Sequence, residues 1–205
     1  MPIPWYHIGM NYALLEQSNS TFFTVQKIAE LLNISEASAR VLASRYAAKN
    51  LLLSPKKNFY LLPERVKALS KEDTFYLSSL LQTPSYVSLQ TALAYHEITT
   101  QMPRNFIEAV NPVRTCSYAL ADIDFAYTKI KKNLYFDFER KGHFFIASPE
   151  KALLDASYLE VLNRYSMDWS SLDFSKFDAK KIRKLAKKFP KKVQKFIDHL
   201  FEIYG

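Results

Sequence analysis

Two arginines, Arg40 and Arg45, stand in a segment that is otherwise rich in alanine and serine. The guanidinium group presents its donors in a planar fork that fits the edge of guanine and the oxygens of phosphate. Ser38 and Ser44 lie beside the arginines, and side chains this small allow a helix to come close to base edges. These residue types indicate recognition of double-stranded DNA.

A second set of chemically capable residues is acidic. Asp137, Glu139 and Lys141 end in an E-x-K pattern that a metal-dependent nuclease could use, with Asp122 or Asp124 as further ligands. The same alternation describes the solvated face of a strand. Because no activated nucleophile, phosphate loop or paired histidine accompanies them, we expect no catalytic residue, no metal ion and no cofactor, and a nuclease is the less favoured alternative.

Three predicted helices position the arginines. Thr24 is a good N-cap for a helix that reaches Asn33, a residue that tolerates a turn, and Ser35 caps the next helix, which ends near Asn50. An earlier helix over residues 6–16 covers this pair. The helix that follows Ser35 turns one apolar stripe to the shared core: Ala39, Leu42, Ala43 and Tyr46. Its opposite face carries Ala37, Arg40, Val41 and Ser44, with Ser38 and Arg45 on its margins.

The segment after this helix predicts a β-hairpin, because apolar residues 51–53 and 59–62 flank a polar turn. Three helices followed by a hairpin with lysines at its tip is the order of a winged helix-turn-helix, whose second paired helix enters the major groove. We predict such a domain over residues 1–69. Its DNA-binding residues are expected to be Thr24, Ser35, Ser38, Arg40, Ser44, Arg45, Lys56, Lys57 and Asn58. The alternatives are a solvated amphipathic helix and a winged helix that binds only protein.

The remaining residues, 70–205, predict a larger mixed α+β domain with C-terminal helices, so the fold class is α+β. Ser148, Pro149 and Glu150 have the types preferred at N-cap, N1 and N2 of a helix. Further helices are expected over residues 73–81 and from Ser85 or Ser88 to Tyr95. Strands are expected over residues 106–110 (between Pro103 and Pro112), 125–130, 134–138 and 144–147, with turns at residues 131–133 and 141–142.

The net charge of +8 is unevenly distributed along the chain. Residues 1–70 hold 8 Lys and Arg against 4 Asp and Glu, residues 71–170 hold 10 against 12, and residues 171–205 hold 10 against 4. Two basic ends favour nucleic acid as a partner. The start of the chain lacks the features of a signal peptide and no apolar run is long enough for a membrane span, so we expect a cytoplasmic protein without a membrane partner. The single cysteine, Cys116, is expected to be a packing residue.

The C-terminal segment, residues 178–204, predicts two amphipathic helices divided by Pro190. Their apolar stripes should pack on the middle of the chain. Their polar faces are rich in lysine from Lys180 to Lys195, which could extend a DNA or RNA footprint or lie on a membrane surface.

Two segments carry a resemblance to a known family: residues 86–93 (YVSLQTAL) followed by Tyr95-His96, and residues 148–155 (SPEKALLD). In this order behind a winged helix, they resemble the signature segments of the AbiEi antitoxins of abortive-infection systems, over about residues 20–165. The resemblance implies a type IV antitoxin whose N-terminal domain represses its own operon at an operator with inverted repeats. It also implies that the C-terminal domain counteracts a nucleotidyltransferase toxin, AbiEii, without a stable complex.

Two positions depart from the family, which has Gly after the Tyr-His pair and near the wing aromatic residue, where this chain has Glu97 and Asn58. The first departure is expected to change how the helix ends. Because of the second, the sequence does not determine which type of turn the wing makes. The resemblance makes six residues antitoxin candidates: Ser88, Tyr95, His96, Glu150, Lys151 and Asp155.

Each of these residues also has a structural interpretation. Ser88 could cap a helix, His96 could bond a helix end, and Lys151 with Asp155 could form an i,i+4 pair worth about 0.2–0.5 kcal/mol. The alternative for the whole chain is a winged-helix regulator whose C-terminal domain senses a ligand or a partner.

Overall fold

The computed structural model describes residues 5–101 and 104–205, and it has a mixed α+β fold. The chain divides into two compact units. One comprises Met1–Ser70 and Ala119–Asp122, and the other comprises Lys71–Tyr118 and Ile123–Gly205. Residues 1–4, at the start of the segment expected to lack a signal peptide, and Pro103, the expected boundary of a strand, lie outside the described residues. Within the described residues, no helix has both the length and the apolar character needed to cross a membrane.

The first unit begins with three helices and a hairpin. Its elements are α1 (Trp5–Gln17), α2 (Val25–Leu32), α3 (Glu36–Ala48), β1 (Leu53–Lys56), β2 (Phe59–Leu61) and α4 (Pro63–Lys67). Side chains from all three helices fill its core, among them Leu15, Ile28, Ala43 and Tyr46. The predicted stripe of α3 is confirmed for Ala39, Ala43 and Tyr46, while Leu42 is only half-buried.

The boundaries of α2 and α3 follow from local capping, as predicted. The Thr24 hydroxyl accepts a hydrogen bond from Lys27 N at 3.2 Å, which satisfies one of the free N–H groups at the start of α2. Asn33 ends α2 in the left-handed conformation, with φ 50°. Ser35 caps α3 by accepting from Ser38 N at 3.2 Å. Each helix boundary depends on side chains only a few residues away in the chain, so it could be predicted from the sequence.

The hairpin of β1 and β2 is antiparallel, with Leu53 opposite Leu61. An isolated antiparallel bridge joins Tyr60 to Phe23, which lies just before α2; Phe23 N donates to Tyr60 O at 2.7 Å and Tyr60 N donates to Phe23 O at 2.9 Å. The bridge fixes the hairpin to the segment that leads into α2.

A mixed sheet in the order β5-β6-β4-β3-β8-β7 belongs to the second unit, apart from the last two residues of β5. These strands are β3 (Tyr86–Val87), β4 (Phe106–Asn111), β5 (Cys116–Leu120), β6 (Ile123–Lys129), β7 (Phe138–Lys141) and β8 (Phe144–Ala147). The two-residue strand β3 joins the halves of the sheet, since it pairs antiparallel with β4 and parallel with β8. The predicted strands over residues 106–110 and 144–147 are confirmed, and so is the tight turn at Gly142, where φ is 55°.

Five helices of the second unit are α5 (Lys71–Leu81), α6 (Leu89–Tyr95), α7 (Pro149–Val161), α8 (Ala179–Ala186) and α9 (Lys191–Tyr204). Helix α5 packs on β3, β4 and β8, α6 packs on β4, and α7 packs on α6, α8 and α9. The predicted division of the C-terminal segment at Pro190 is confirmed, and the apolar stripes of both helices are buried at Ile182, Leu185, Val193 and Ile197.

The predicted strand over residues 134–138 is wrong. Residues Lys132–Leu134 form a 3-10 turn, and β7 starts only at Phe138. The apolar alternation there has another cause: the rings of Tyr135 and Phe138 pack on Tyr86, with centroids 5.1 and 4.6 Å from that of Tyr86. Strands β3 and β5 were not predicted; Cys116, the first residue of β5, is half-buried.

Candidate functional site

The outer face of α3 carries the residues expected to contact DNA. Arg40, Ser38, Ser44 and Arg45 are all exposed, whereas Ala39, Ala43 and Tyr46 on the inner face are buried. The predicted orientation of the helix in the first unit is therefore correct. Two guanidinium groups and a run of small side chains are open to a ligand along this face.

Two of the hydroxyls that were predicted to bind DNA make hydrogen bonds within the fold. The Thr24 hydroxyl is the cap of α2, and the Ser35 hydroxyl, besides capping α3, donates to Ser38 Oγ at 2.9 Å. Ser35 and Ser38 are exposed, so they also remain accessible at the start of α3.

The hairpin tip contains the three remaining predicted contacts, and they differ in environment. Lys57 is exposed, and the half-buried Lys56 has its ammonium 5.3 Å from the centre of the Phe59 ring. Asn58 turns the chain at φ 59°, and its side-chain oxygen accepts from Val25 N at 2.7 Å. The Asn58 side chain thus holds the tip against the start of α2 and acts as a positioning residue.

Arg65 on α4, a residue that was not predicted from the sequence, links α4 to the end of α1 and to the loop that follows α1. Its guanidinium donates to backbone oxygens at the end of α1 and in the following loop, including Glu16 O at 2.7 Å as well as Ser18 O and Ser20 O. The carbonyls at a helix C-terminus lack intrahelical donors, so a forked cation suits them. No local pattern marks this role, because the partners lie about 50 residues away.

In the second unit, four residues of the two signature segments meet in a buried cluster. Asp155 and Lys151 on α7 are fully buried and paired with each other. The second carboxylate oxygen of Asp155 accepts from Tyr86 OH and from Ser88 Oγ, both at 2.9 Å. Ser88 occupies the N-cap position of α6 but makes no capping hydrogen bond, since its hydroxyl is directed to Asp155.

Aromatic rings surround the Lys151 ammonium. Its nitrogen lies 5.4 Å from the ring centre of Tyr86, 5.1 Å from that of Phe136 and 5.4 Å from that of Phe189. Burial raises the pKa of Asp155 and lowers the pKa of Lys151, and the attraction between the two charges opposes both shifts. The pair is a structural centre that joins β3, α7 and the segment before α9, and it is closed to solvent.

Glu150, next to Lys151, belongs to a second ion-pair group. Lys181 on α8 lies 2.8 Å from Glu150 Oε2 and 3.4 Å from Asp137 Oδ2. Burial on its own would raise the pKa of Glu150, but the hydrogen bond and the charge of Lys181 outweigh it, so the pKa is lowered. Asp137 also accepts from Ser148, the N-cap of α7. This group fixes α8 to the start of α7.

Tyr95 and His96 lie at the end of α6. His96 Nε2 is 2.8 Å from Ala147 O, which matches the structural interpretation of a histidine bonded at a helix end. The Tyr95 ring packs edge to face against Phe75 and Phe144 and is half-buried. Of the six antitoxin candidates, these two are the most accessible.

A buried carboxylate that sequence reasoning missed, Glu108 on β4, faces the start of α6. Its Oε2 accepts from Thr91 N and from Tyr165 OH, each at 3.3 Å. Burial raises the pKa of Glu108 to about 7, although these hydrogen bonds act in the other direction. In the sequence, the only sign of this buried carboxylate is a glutamate within a predicted strand of otherwise apolar residues.

Two positions where the AbiEi family has glycine both adopt the left-handed conformation that glycine favours. Glu97 has φ 59°, and α6 still ends in the usual way, with Ile98 N donating to Leu93 O at 2.9 Å. The expectation that Glu97 changes how the helix ends is therefore wrong. Asn58 has φ 59° as well, at the tip of the hairpin.

We expect opposite effects of glycine at these positions. Glu97→Gly should raise the free energy of unfolding by up to about 1 kcal/mol, because a side chain with a Cβ is strained at this φ. Asn58→Gly should lower it by about 1 kcal/mol or more, because asparagine tolerates this φ and its loss leaves Val25 N without an acceptor. Urea denaturation of both variants measures the difference. Two changes of the same sign would contradict this account.

The carboxylates proposed for a nuclease do not meet in the structure. Asp137 precedes β7, Glu139 and Lys141 on β7 form an exposed ion pair at 3.1 Å, and Asp124 lies on β6. Strands β6 and β7 are four positions apart in the sheet, or about 19 Å at the usual strand spacing. Among the described residues, no group of three or more His, Cys, Asp or Glu side chains could hold a metal ion.

No protein-family model and no curated protein matches this sequence. Among solved structures, the chain is similar to the crystal structure of the RV2827C protein from Mycobacterium tuberculosis, with a TM-score of 0.62 and 11% sequence identity. The similarity covers 99% of this chain and 78% of that one. At this level of identity the likeness shows the fold alone.

Proposed function

We propose that the protein is a DNA-binding transcriptional repressor and antitoxin of a type IV toxin–antitoxin system, and that its first unit is a winged helix-turn-helix. The observation that carries the DNA-binding part is the outer face of α3, where Arg40 and Arg45 are exposed on a helix capped by Ser35 and backed by a buried core stripe. The isolated antiparallel bridge between Phe23 and Tyr60, beside the two-stranded hairpin, supports the winged helix.

In this function, α3 enters the major groove of double-stranded DNA. Arg40 and Arg45 donate to guanine edges or phosphates, and the exposed Lys57 on the wing neutralises backbone phosphates without reading sequence. Asn58 and Arg65 hold the wing and α1 in place for this contact. The expected operator contains inverted repeats, as the AbiEi resemblance implies.

The antitoxin part rests on the resemblance of the two signature segments. Ser88, Lys151 and Asp155 are buried, so they contribute to antitoxin activity indirectly, by stabilising the fold of the second unit. Surface groups of that unit then counteract the nucleotidyltransferase toxin without a stable complex, without a cofactor and without catalysis by this chain. The protein acts in the cytoplasm and has no membrane partner.

The test is one double variant read in two assays. Arg40→Ala with Arg45→Ala should weaken binding to the DNA upstream of the protein's own operon by about 100-fold or more, since each arginine contact with a base contributes about 1–3 kcal/mol. Both side chains are exposed, so the fold should be retained. Fluorescence anisotropy with labelled duplex measures the affinity. The matched control is Arg104→Ala with Arg140→Ala, which removes the same charge from exposed positions of the second unit.

The same double variant should still rescue growth of cells that express a neighbouring nucleotidyltransferase gene. The antitoxin segments lie in the other unit and are unchanged. Undiminished binding by the variant would refute the role of α3. Loss of rescue in a well-folded variant would show that antitoxicity requires DNA binding, against the proposed division of activities.

A further inference from the structure

One exposed apolar side chain, Val41, stands in the centre of the outer face of α3. It is 50% exposed. At about 100° of rotation per residue, a position two residues from both Ala39 and Ala43 points about 160° away from each of them. Since both alanines are fully buried, Val41 lies on the ridge of the helix that is farthest from the core.

The exposed part of this isopropyl group does not contribute to the core of the first unit. Valine loses side-chain freedom in a helix, so an exposed position at mid-helix favours alanine or a straight-chain residue. Of the residues one turn away from Val41, Ala37, Ser38 and Ser44 are too small to cover it, and Val41 is still 50% exposed beside the fourth, Arg45. Its methyl groups are therefore open to whatever approaches α3 most closely.

In the major groove, the C5-methyl group of thymine is the apolar feature that the base edges present. Arg40 and Arg45 lie on the two sides of the ridge and supply the polar contacts. Resting on the proposed function, we propose that Val41 is a specificity-determining residue that selects a thymine by packing its methyl groups on the thymine C5-methyl, between the contacts of the two arginines.

The experiment removes a single methyl group from the DNA. A duplex is selected by the full-length protein from a random-sequence library, and each thymine of its consensus is then replaced in turn by deoxyuridine. Binding should weaken about fourfold at one thymine per half-site, the loss expected for one methyl group no longer buried. With Val41→Ala, whose single methyl makes a smaller contact, the preference for thymine over deoxyuridine should fall to about twofold or less. Val113→Ala is the matched control, because Val113 is also 50% exposed but lies in the second unit; it should keep the fourfold preference.

The outcomes separate this inference from the proposed function. A selection that enriches no sequence would overturn both. An enriched duplex on which no deoxyuridine weakens binding would overturn the role of Val41 and leave DNA recognition by α3 intact. A methyl effect that persists undiminished in Val41→Ala would likewise assign the thymine to another residue. Since alanine is the better helix former and Val41 is exposed, the Val41→Ala protein should unfold at the same temperature as the wild type or slightly above it.

Discussion

Lys151→Met should lower the free energy of unfolding of the second unit by about 3–5 kcal/mol, and Asp155→Asn should have an effect of the same size. Both side chains are fully buried, so either change leaves an uncompensated charge in the interior. Urea denaturation at neutral pH measures the loss. With Trp5 replaced by Phe, Trp169 is the remaining tryptophan of the chain, and its packing against Phe196 makes its fluorescence a reporter of this unit.

The double variant Lys151→Met with Asp155→Asn gives the decisive comparison. It removes both charges and keeps an oxygen that can accept from Tyr86 and Ser88, so it should be more stable than the sum of the single effects predicts, by about 2–3 kcal/mol. The control is Lys27→Met with Glu30→Gln, an exposed pair whose coupling should stay below about 0.5 kcal/mol. Single variants that lose less than about 1 kcal/mol would show that water reaches the pair.

Glu108 should make the second unit less stable as the pH rises. Its pKa in the folded protein is about 7, above its usual 4.5, so the folded state holds the proton more tightly than the unfolded state. The resulting contribution to stability is complete below pH 4.5 and is lost as the pH rises through 7. Between pH 5 and pH 8 the wild-type protein should lose about 2–3 kcal/mol through this group.

Glu108→Gln isolates that effect, because glutamine can accept the same hydrogen bonds but does not titrate. The two proteins should have similar stability at pH 5, and the variant should be more stable by about 2–3 kcal/mol at pH 8, while every other titrating group cancels in the difference. The control is Glu139→Gln at an exposed strand position, which should change the free energy of unfolding by less than about 0.5 kcal/mol. A constant difference between wild type and Glu108→Gln across this range would mean that Glu108 titrates normally.

The parts of the fold that the sequence predicted well depend on neighbours within one or two turns. Thr24, Ser35 and Ser148 cap helices at the predicted positions, and Asn33 and Gly142 turn the chain where expected. Caps and turns are decided by a few adjacent side chains, so their rules can be applied without knowledge of the fold.

The failures involve partners that are distant in the sequence. The Lys151–Asp155 pair looked like a weak surface pair, because i,i+4 spacing says nothing about burial; its burial comes from Tyr86, Phe136 and Phe189. The short strand β3 was missed because two residues carry no periodicity. For the candidate DNA-binding face, the arginines could be predicted from one amphipathic helix, whereas the engagement of Asn58 by Val25 N required the tertiary structure.

The position of β3 in the sheet also determines when the protein can complete its fold during synthesis. Val87 pairs with Ile146, so the two halves of the sheet cannot join until residue 146 has left the ribosome. At about 5–20 residues per second, synthesis from residue 70 to residue 146 takes about 4–15 s. Through that interval the nascent chain carries the helices and hairpin of residues 5–67 together with strands that still lack their neighbours, and this is when chaperones have most to protect.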